Sequence, residues 1–324
     1  MSMNRNAALA LLGVLSLVAA TAGAQNFPER AIRLVVPFPP GGSSDLLGRT
    51  VAQKMSESIG RPVVVDNRGG AAGVVGSEMV ARAAPDGYTI VLGTAASHVS
   101  VIFLSKVLPY DAVRDFTPIS AAAESPLVLA VHPSFPAANM REFVEYAKKN
   151  PGKLSFGTAG NGSPHHLAGE LLKQVAGIEM THVPYKGTAG AMQDVMGGQL
   201  PVAVITLAPA LPQVRAGKVK ALGVVEAARQ PSASDIPAIG EQVPGYAMPR
   251  TWLGFFGPAR MPEPIVARLN AEIVKALNAP DTRAKLDAAG LPVMATSAAE
   301  FAAIIRENIE VFRKIITTAA IPPE

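Results

Sequence analysis

One stretch decides the fold of this chain: LVVPFPPGGSSD, residues Leu34–Asp45. An apolar, β-branched run ends at prolines, two glycines follow, and small polar residues open a segment with helical periodicity. This order predicts a strand, a tight turn and the N-terminus of a helix. Gly41 and Gly42 have no Cβ atom, so a ligand can approach the backbone closely there. The first N–H groups of a helix lack intrahelical acceptors and bind anions such as carboxylate or phosphate.

The same stretch also has a purely structural interpretation, in which Ser43, Ser44 or Asp45 simply caps the helix. Many turns between a strand and a helix have this composition without binding anything. The stretch therefore does not decide between a cap and an anion site when it is taken alone.

A second stretch of the same design favours a ligand site. The predicted strand Leu154–Gly157 leads into TAGNGSP, residues 158–164, and then into a predicted helix over His165–Ala176. Ser163 is the predicted N-cap, and Pro164 is predicted at the first helical position, where its missing N–H costs nothing. Two helix N-termini of this kind can together neutralise about one negative charge.

The bulk composition indicates an exported protein with a large core. The chain has 324 residues, is 49% hydrophobic and contains no cysteine, so structural disulfides are excluded. Residues 1–24 have the pattern of an export signal: Arg5, the short apolar run Ala7–Ala20, and Ala22-Gly23-Ala24 as a signal-peptidase site. That run is too short to span a bilayer. Without a cysteine at the cleavage site, we expect an exported, soluble protein that is not lipidated.

Charge and aromatic content exclude nucleic acid as a partner. The formal net charge is only +4, and no run of Lys or Arg occurs. Aromatic residues make up 5% of the chain, which argues against stacking surfaces for bases or sugars.

The first part of the chain predicts a parallel α/β sheet. Strands are predicted at Ala31–Pro37, Arg61–Asp66 and Thr89–Gly93, with helices between them, the first over Leu46–Ile59. The glycine-rich segment Gly69–Gly76 lacks the G-x-G-x-x-G spacing of a dinucleotide site, so we expect no such cofactor.

The rest of the chain continues the α/β pattern and then changes. Leu108–Ile119 is predicted to be a proline-punctuated connection, and the chain beyond about residue 229 is predicted to be loop-rich, with Trp252 in the core. Further strands are predicted at Leu127–Val131, His182–Tyr185, Val202–Thr206 and Val219–Val225, and helices at Met140–Lys149, up to Met196, and at Pro264–Leu277, Asp281–Ala289 and Ser297–Ala319.

In this order the segments resemble the Bug family, the periplasmic solute-binding receptors of tripartite tricarboxylate transporters. Each piece is weakly specific alone, but together they run nearly the length of the chain. The matching pieces are Ile32–Gly42 with Asp45 and Arg49, Pro62–Arg68, Pro85–Thr89, Leu108–Asp111, Asp115–Ile119, Pro151–Leu154, Gly160–Ser163, His166–Glu170 and His182–Gly187.

The resemblance implies a type II periplasmic binding protein fold, with two lobes of parallel-rich sheets flanked by helices. Lobe 1 would comprise residues 25–123 plus 229–324, and lobe 2 residues 124–228. It further implies a monomeric periplasmic receptor that is not an enzyme, uses no cofactor or metal, and passes its ligand to the membrane subunits of a transporter. Sequence alone leaves open a ligand-binding sensor that serves a membrane signalling partner, since both need the same closed form.

The resemblance also implies the site. Two loops from opposite lobes, loop A (Phe38–Asp45) and loop B (Gly157–Ser163), would hold a small carboxylate through backbone N–H groups and bridging water. The expected ligand-binding residues are Phe38, Gly41, Gly42, Ser43, Asp45, Thr94, Ser97, Thr158, Gly160, Asn161, Gly162, Ser163, His166, Lys186 and Gly187. Residues 97–102 and 206–210 depart from the family pattern and are expected to border the distal part of the pocket.

Other groups of residues support weaker hypotheses, namely a metal site or a hydrolase pair. The five histidines offer no H-E-x-x-H helix for a metal, and adjacent His165 and His166 diverge by about 100° on a helix. Ser163 with His166 could form a hydrolase pair, but no G-x-S-x-G elbow is present. Asp45 facing an anion would be unfavourable, so we expect it to hydrogen-bond its own loop or to meet an amino or hydroxyl group of the ligand.

The expected ligand is a small organic acid or a carboxylated aromatic. Neither loop contains Lys or Arg between Gly41 and Ser44 or between Ala159 and Ser163. A second buried carboxylate would therefore lack a partner, and burying an unpaired charge is costly. We expect a monocarboxylate, or a dicarboxylate with one solvated end, and a minor contribution from Lys186 as a solvated or lobe-closing cation.

Overall fold

The computed structural model describes residues 27–323, which form two five-stranded sheets flanked by helices. The predicted export signal lies outside the described residues. The strands are β1 (Ile32–Val36), β2 (Val63–Asn67), β3 (Thr89–Thr94), β4 (Phe116–Glu124), β5 (Leu127–Val131), β6 (Ser155–Thr158), β7 (Thr181–Pro184), β8 (Val202–Thr206), β9 (Lys220–Val224) and β10 (Trp252–Pro258).

The helices lie mainly between the strands and at the end of the described chain. They are α1 (Ser43–Ile59), α2 (Val74–Ala81), α3 (Val101–Leu104), α4 (Met140–Lys149), α5 (Pro164–Ala176), α6 (Thr188–Met196), α7 (Leu207–Arg215), α8 (Ile239–Gln242), α9 (Glu263–Asn278), α10 (Pro280–Ala288) and α11 (Ala298–Thr318). Among the described residues, no helix is both long and apolar enough to cross a bilayer.

Both sheets are mixed, and half of the strand pairings are antiparallel. The first sheet has the order β2-β1-β3-β10-β4 and the second the order β7-β6-β8-β5-β9. In the first sheet, β10 runs antiparallel to β3 and β4; in the second, β5 runs antiparallel to β8 and β9. The α/β fold is therefore confirmed, with one antiparallel strand inside each sheet.

The chain crosses twice between the sheets. It leaves the first sheet after Glu124 and enters the second at Leu127; it returns after Val224 and re-enters the first sheet at Trp252. At the crossing, the N–H of Ser125 donates to the carbonyl oxygen of Thr251 at 3.0 Å. The first sheet is thus assembled from two distant parts of the chain.

The prediction of loops at two places was wrong. Part of the predicted connection Leu108–Ile119 belongs to β4, and the predicted loop-rich region contains β10, a central strand with all seven residues buried. Successive residues of β10 point to opposite faces of the sheet. Leu253 and Phe255 belong to one core cluster, and Trp252 and Phe256 belong to the other. Trp252, predicted in the core, is 1% exposed.

Candidate functional site

A cleft of about 480 Å³ lies between loops that belong to the two sheets. One wall is formed by the turn at residues 71–74, which precedes and opens α2, and by residues 96–107, the segment that contains α3. The other wall contains residues 159–163 of loop B with Lys186 and Gly187, and Ile321 and Pro322 close one side. A larger groove of about 600 Å³ runs along residues 108–114, but it is formed almost entirely by that one stretch and meets neither loop.

Loop A begins its helix without a side-chain cap. The N-cap residue is Gly42, in an extended conformation, and no side chain accepts a hydrogen bond there. Among the described residues, no group accepts from the N–H of Ser43, Ser44 or Asp45. The interpretation of these residues as caps is therefore wrong, and the helix presents the unfilled N–H groups that favour anions.

Asp45 is hydrogen-bonded to its own loop and to its neighbours on α1 and β2, in agreement with one of its two predicted roles. Its carboxylate accepts from the N–H of Gly41 at 3.0 Å, from Arg49 Nε at 3.0 Å and from Asn67 Nδ2 at 2.9 Å. The hydrogen bond from Arg49 lowers the pKa of Asp45 to about 2, with Gly41 and Asn67 acting in the same direction against burial. Asn67 also donates to the carbonyl oxygen of Phe38 at 3.1 Å, so loop A is held to the end of β2.

Loop A itself does not line the cleft described above. The turn at residues 71–74 takes that place on the wall. The ring of Phe38 lies against this turn, because a Cβ atom added at Gly73 would stand 3.3 Å from Phe38 Cζ. Gly41 and Gly42 are exposed, and a Cβ atom at either would meet nothing within 4 Å.

Thr94 and Ser97 form a turn at the end of β3 through two reciprocal hydrogen bonds. The N–H of Thr94 donates to Ser97 Oγ at 3.1 Å, and the N–H of Ser97 donates to Thr94 Oγ1 at 3.3 Å. Ser97 is fully buried and its hydroxyl also meets His98 Nδ1 at 2.9 Å. Its hydroxyl therefore serves to shape the segment that carries the cleft wall.

Loop B is capped and internally bonded. Ser163 is the N-cap and Pro164 the first helical residue, as predicted, with Ser163 Oγ accepting from the N–H of His166 at 3.3 Å. Ser163 Oγ donates in turn to the carbonyl oxygen of Gly160 at 2.7 Å. The N–H of Gly160 donates to Thr158 Oγ1 at 3.2 Å. The hydroxyl of Ser163 is thus bonded to backbone groups and not to an imidazole.

Gly162 is the most constrained residue of loop B. Its φ is +66°, in the left-handed region, and its N–H donates to His166 Nδ1 at 3.1 Å. A Cβ atom added there would lie 2.2 Å from Leu104 Cδ1, so the Leu104 side chain packs directly on the Gly162 backbone. Asn161, beside it, is exposed and lines the cleft.

His166 belongs to a polar cluster behind loop B. Its ring stacks on His182 with centroids 3.7 Å apart, and its Nε2 lies 3.7 Å from Glu170 Oε1. Glu170 accepts from Lys173 Nζ at 2.8 Å, and His182 Nε2 meets Thr158 Oγ1 at 2.6 Å. Burial lowers the pKa of His182 to about 4. His166 therefore supports loop B from behind.

Lys186 and Gly187 stand beside loop B on the cleft wall. The N–H of Gly187 donates to the carbonyl oxygen of Ala159 at 3.1 Å, which ties the two segments together. Lys186 is exposed and carries the one formal charge among the described residues that line the cleft. It takes part in none of the ion pairs of the described chain.

Several cleft residues were not predicted from the sequence. The turn residues Ala71, Ala72 and Val74 had a signal, since they lie within the glycine-rich segment Gly69–Gly76. Leu104 and Ile321 had none, because their place in the cleft comes from tertiary packing. The described residues contain no group of His, Asp or Glu arranged to hold a metal ion.

Comparison with known proteins agrees with this architecture. Residues 47–321 match the family described as the tripartite tricarboxylate transporter family receptor. BugT of Bordetella pertussis is 32% identical over 299 residues, which cover 91% of this chain and 92% of that protein.

Solved structures share both the fold and the sequence pattern. A Rhodopseudomonas palustris protein solved with adipate is 34% identical with a TM-score of 0.82, covering 92% of this chain and 100% of that one. MatC from the same organism, solved with bound malate, is 33% identical with a TM-score of 0.77, covering 90% of this chain and 100% of that one. Related solved structures include the periplasmic binding protein BugD, with the same two-lobed fold. The chain belongs to the tripartite tricarboxylate transporter receptor family, the family of the periplasmic Bug solute-binding proteins.

Proposed function

We propose that this protein is a periplasmic receptor that captures a small carboxylate in the cleft between its two sheets and delivers it to the membrane subunits of a tripartite transporter. The observation that carries the proposal is the cleft itself, with residues of loop B and the exposed Lys186 on one wall and mostly apolar residues on the other. Relatives of the same fold were solved with adipate and with malate, both small carboxylates. Family and neighbours are solute-binding proteins, so we infer a binding role without catalysis.

The two lobes would be residues 25–123 plus 229–324 and residues 124–228. Sheet membership supports this division, since β1–β4 and β10 form the first sheet and β5–β9 the second. The crossings at 124–127 and 224–252 would then act as the hinge. Ligand contacts from both lobes stabilise a closed form, because only a difference in affinity between two states shifts their populations.

The ligand would be held by one carboxylate and would carry a mostly apolar body. Lys186 is the one charged side chain on the described cleft walls, and Val74, Val101 and Leu104 make much of the opposite wall apolar. The unfilled N–H groups of Ser43, Ser44 and Asp45 lie outside this cleft and would contact the same carboxylate in the closed form. A second carboxylate of the ligand would remain solvated, since no further cation lines the described cleft.

A thermal-shift screen tests the proposal. A ligand that binds only the folded state raises the unfolding midpoint by mass action. We expect one or more small mono- or dicarboxylates to raise the midpoint of the wild-type protein, while the matching amides do not. A screen in which no small carboxylate raises the midpoint, at concentrations up to tens of millimolar, would contradict the proposed ligand class.

Small-angle scattering tests the lobe closure. A monomer that closes around its ligand becomes more compact when the carboxylate found in the screen is added at saturation. Scattering that does not change under those conditions would contradict closure and would indicate that the ligand contacts one lobe alone.

A further inference from the structure

One side chain of the cleft has a position that the carboxylate site alone does not explain. Leu104 is the last residue of α3, and its side chain lies over Gly162 of loop B. A Cβ atom added at Gly162 would stand 2.2 Å from Leu104 Cδ1, 3.4 Å from its Cγ and 3.5 Å from its Cβ. The whole side chain therefore faces the loop from the opposite wall and bridges the cleft.

The segment that carries Leu104 is short and lies at the edge of the core. α3 is a single turn of four residues, none of them buried, and it ends where the N–H of Ser105 donates to the carbonyl oxygen of Val101. Val107, just beyond it, is 85% exposed. All four residues are half-buried and pack against the larger core cluster, so the turn holds the Leu104 side chain at its place on the cleft wall.

The contact places an apolar group directly beside the loop that would receive the charged end of a ligand. Any ligand held against loop B has to share or take the space of the Leu104 side chain. An apolar chain can do so favourably, whereas a hydroxylated body would leave polar groups without partners. The volume at position 104 then limits how long a ligand body fits beside loop B.

We propose that Leu104 is a specificity-determining residue, which selects among carboxylates by the length of the apolar chain that follows the bound carboxylate. This inference rests on the proposed function and names the residue that sets its ligand preference.

Calorimetric titration with adipate and succinate tests the inference, because these dicarboxylates carry the same charge and differ in chain length. The variants are Leu104→Ala, which enlarges the space, and Leu104→Phe, which reduces it. Ile102→Ala is the matched control: Ile102 lies on the same helix, is similarly half-buried and does not line the cleft. Thermal unfolding of each variant reports whether it is folded.

We expect Leu104→Ala to raise the ratio of adipate to succinate affinity by about tenfold, the scale on which an apolar pocket discriminates a methylene or two. Leu104→Phe should lower the ratio by a similar factor, and Ile102→Ala should leave it unchanged within about twofold. A ratio that stays at the wild-type value in both folded Leu104 variants, or that moves equally in Ile102→Ala, overturns the role of Leu104. Wild-type protein that binds neither acid instead contradicts the proposed function for dicarboxylates, and the role of Leu104 in selecting them falls with it.

Discussion

In loop A the helix begins at an uncapped glycine and the next N–H groups have no acceptor in the described chain, whereas in loop B Ser163 caps the helix and Gly162 donates to His166. Loop A is also open on its outer side, while Leu104 covers loop B. Both loops contain glycines followed by serine, and both lie between a strand and a helix. Their difference shows that a glycine-rich helix start favours anions only where neighbouring side chains leave its N–H groups free.

The difference also assigns the two loops different roles. Loop A is suited to meet an anion as it stands, because its N–H groups need no rearrangement. Loop B is rigid, since its backbone is bonded to Thr158, Ser163 and His166, so it serves as a fixed wall against which Lys186 and Leu104 act. Substitutions at matched positions of the two loops test this assignment.

The largest difference is expected between Gly162→Val and Gly42→Val. Valine at 162 is strained at a φ of +66° and collides with Leu104, so we expect a loss of about 2 kcal/mol in unfolding free energy and of carboxylate binding. Gly42 has a φ of −86° and open space at its Cβ, so its variant should stay within about 0.5 kcal/mol of wild type.

Urea unfolding and calorimetry with adipate separate the two effects of Gly42→Val. Because its Cβ would stand where the carboxylate approaches the free N–H groups, we expect binding to weaken about tenfold in a stably folded protein. Full affinity in Gly42→Val would show that loop A does not contact the ligand.

The next largest difference between the loops is expected in how stability depends on pH. His182, behind loop B, has its pKa lowered by burial to about 4 from 6.5, so between these pH values the unfolded chain binds a proton that the folded chain does not. The wild type therefore loses stability as the pH falls from 6.5 to 4, and His182→Gln should lose less.

Asp45 in loop A provides the contrast. The hydrogen bond from Arg49 lowers its pKa to about 2 from 3.8, so its contribution is present above pH 3.8 and is lost only as the pH falls towards 2. Asp45→Asn should thus keep the wild-type slope between pH 6.5 and 4. Melting curves across that range check both variants; a His182→Gln slope equal to wild type would contradict the low pKa of His182.

Removing the hydroxyl groups tests the caps directly. Ser163→Ala deletes an observed N-cap and should cost about 1 kcal/mol of stability. Ser43→Ala deletes no cap and should cost no more than a few tenths. Equal losses in chemical unfolding would mean that loop A is capped in solution as well.

The smallest effect is expected from Lys186→Ala. Lys186 is exposed on the cleft wall, and exposed charges contribute about 0.2–1 kcal/mol, so binding of a carboxylate should weaken a few-fold and less at high salt. Lys153→Ala, an exposed lysine away from the cleft, should leave the affinity unchanged. Complete loss of binding in Lys186→Ala would show that this side chain, and not the backbone N–H groups, makes the main contact with the anion.

Local signals predicted much of the fold. The bounds of β5, β8 and α4 match the prediction residue for residue, because each has a complete apolar pattern between strong turn or cap signals. β10 was missed because it follows a proline-rich stretch and is fixed by pairing with β3 and β4, which lie far away in sequence. Such long-range pairing leaves no local pattern.

The site was predictable only in part. The cap of loop B followed from Ser163 and Pro164, but the missing cap of loop A did not, since Asp45 turns towards Gly41, Arg49 and Asn67. The contact between Leu104 and Gly162 joins α3 to loop B, which are far apart in sequence, and nothing near either residue in sequence indicates the other. Sequence therefore located the loops but not what fills the space between them.

The most direct test of a carboxylate receptor is calorimetric titration of the wild-type protein with the best acid from the screen and with its amide. The two compounds share shape and size, but the amide is neutral and has a donor NH2 group in place of one acceptor oxygen. We expect the acid to bind and the amide to bind at least about tenfold more weakly, because free N–H groups and Lys186 favour an anion over a neutral group. Equal affinity for acid and amide would contradict an anion site at these loops.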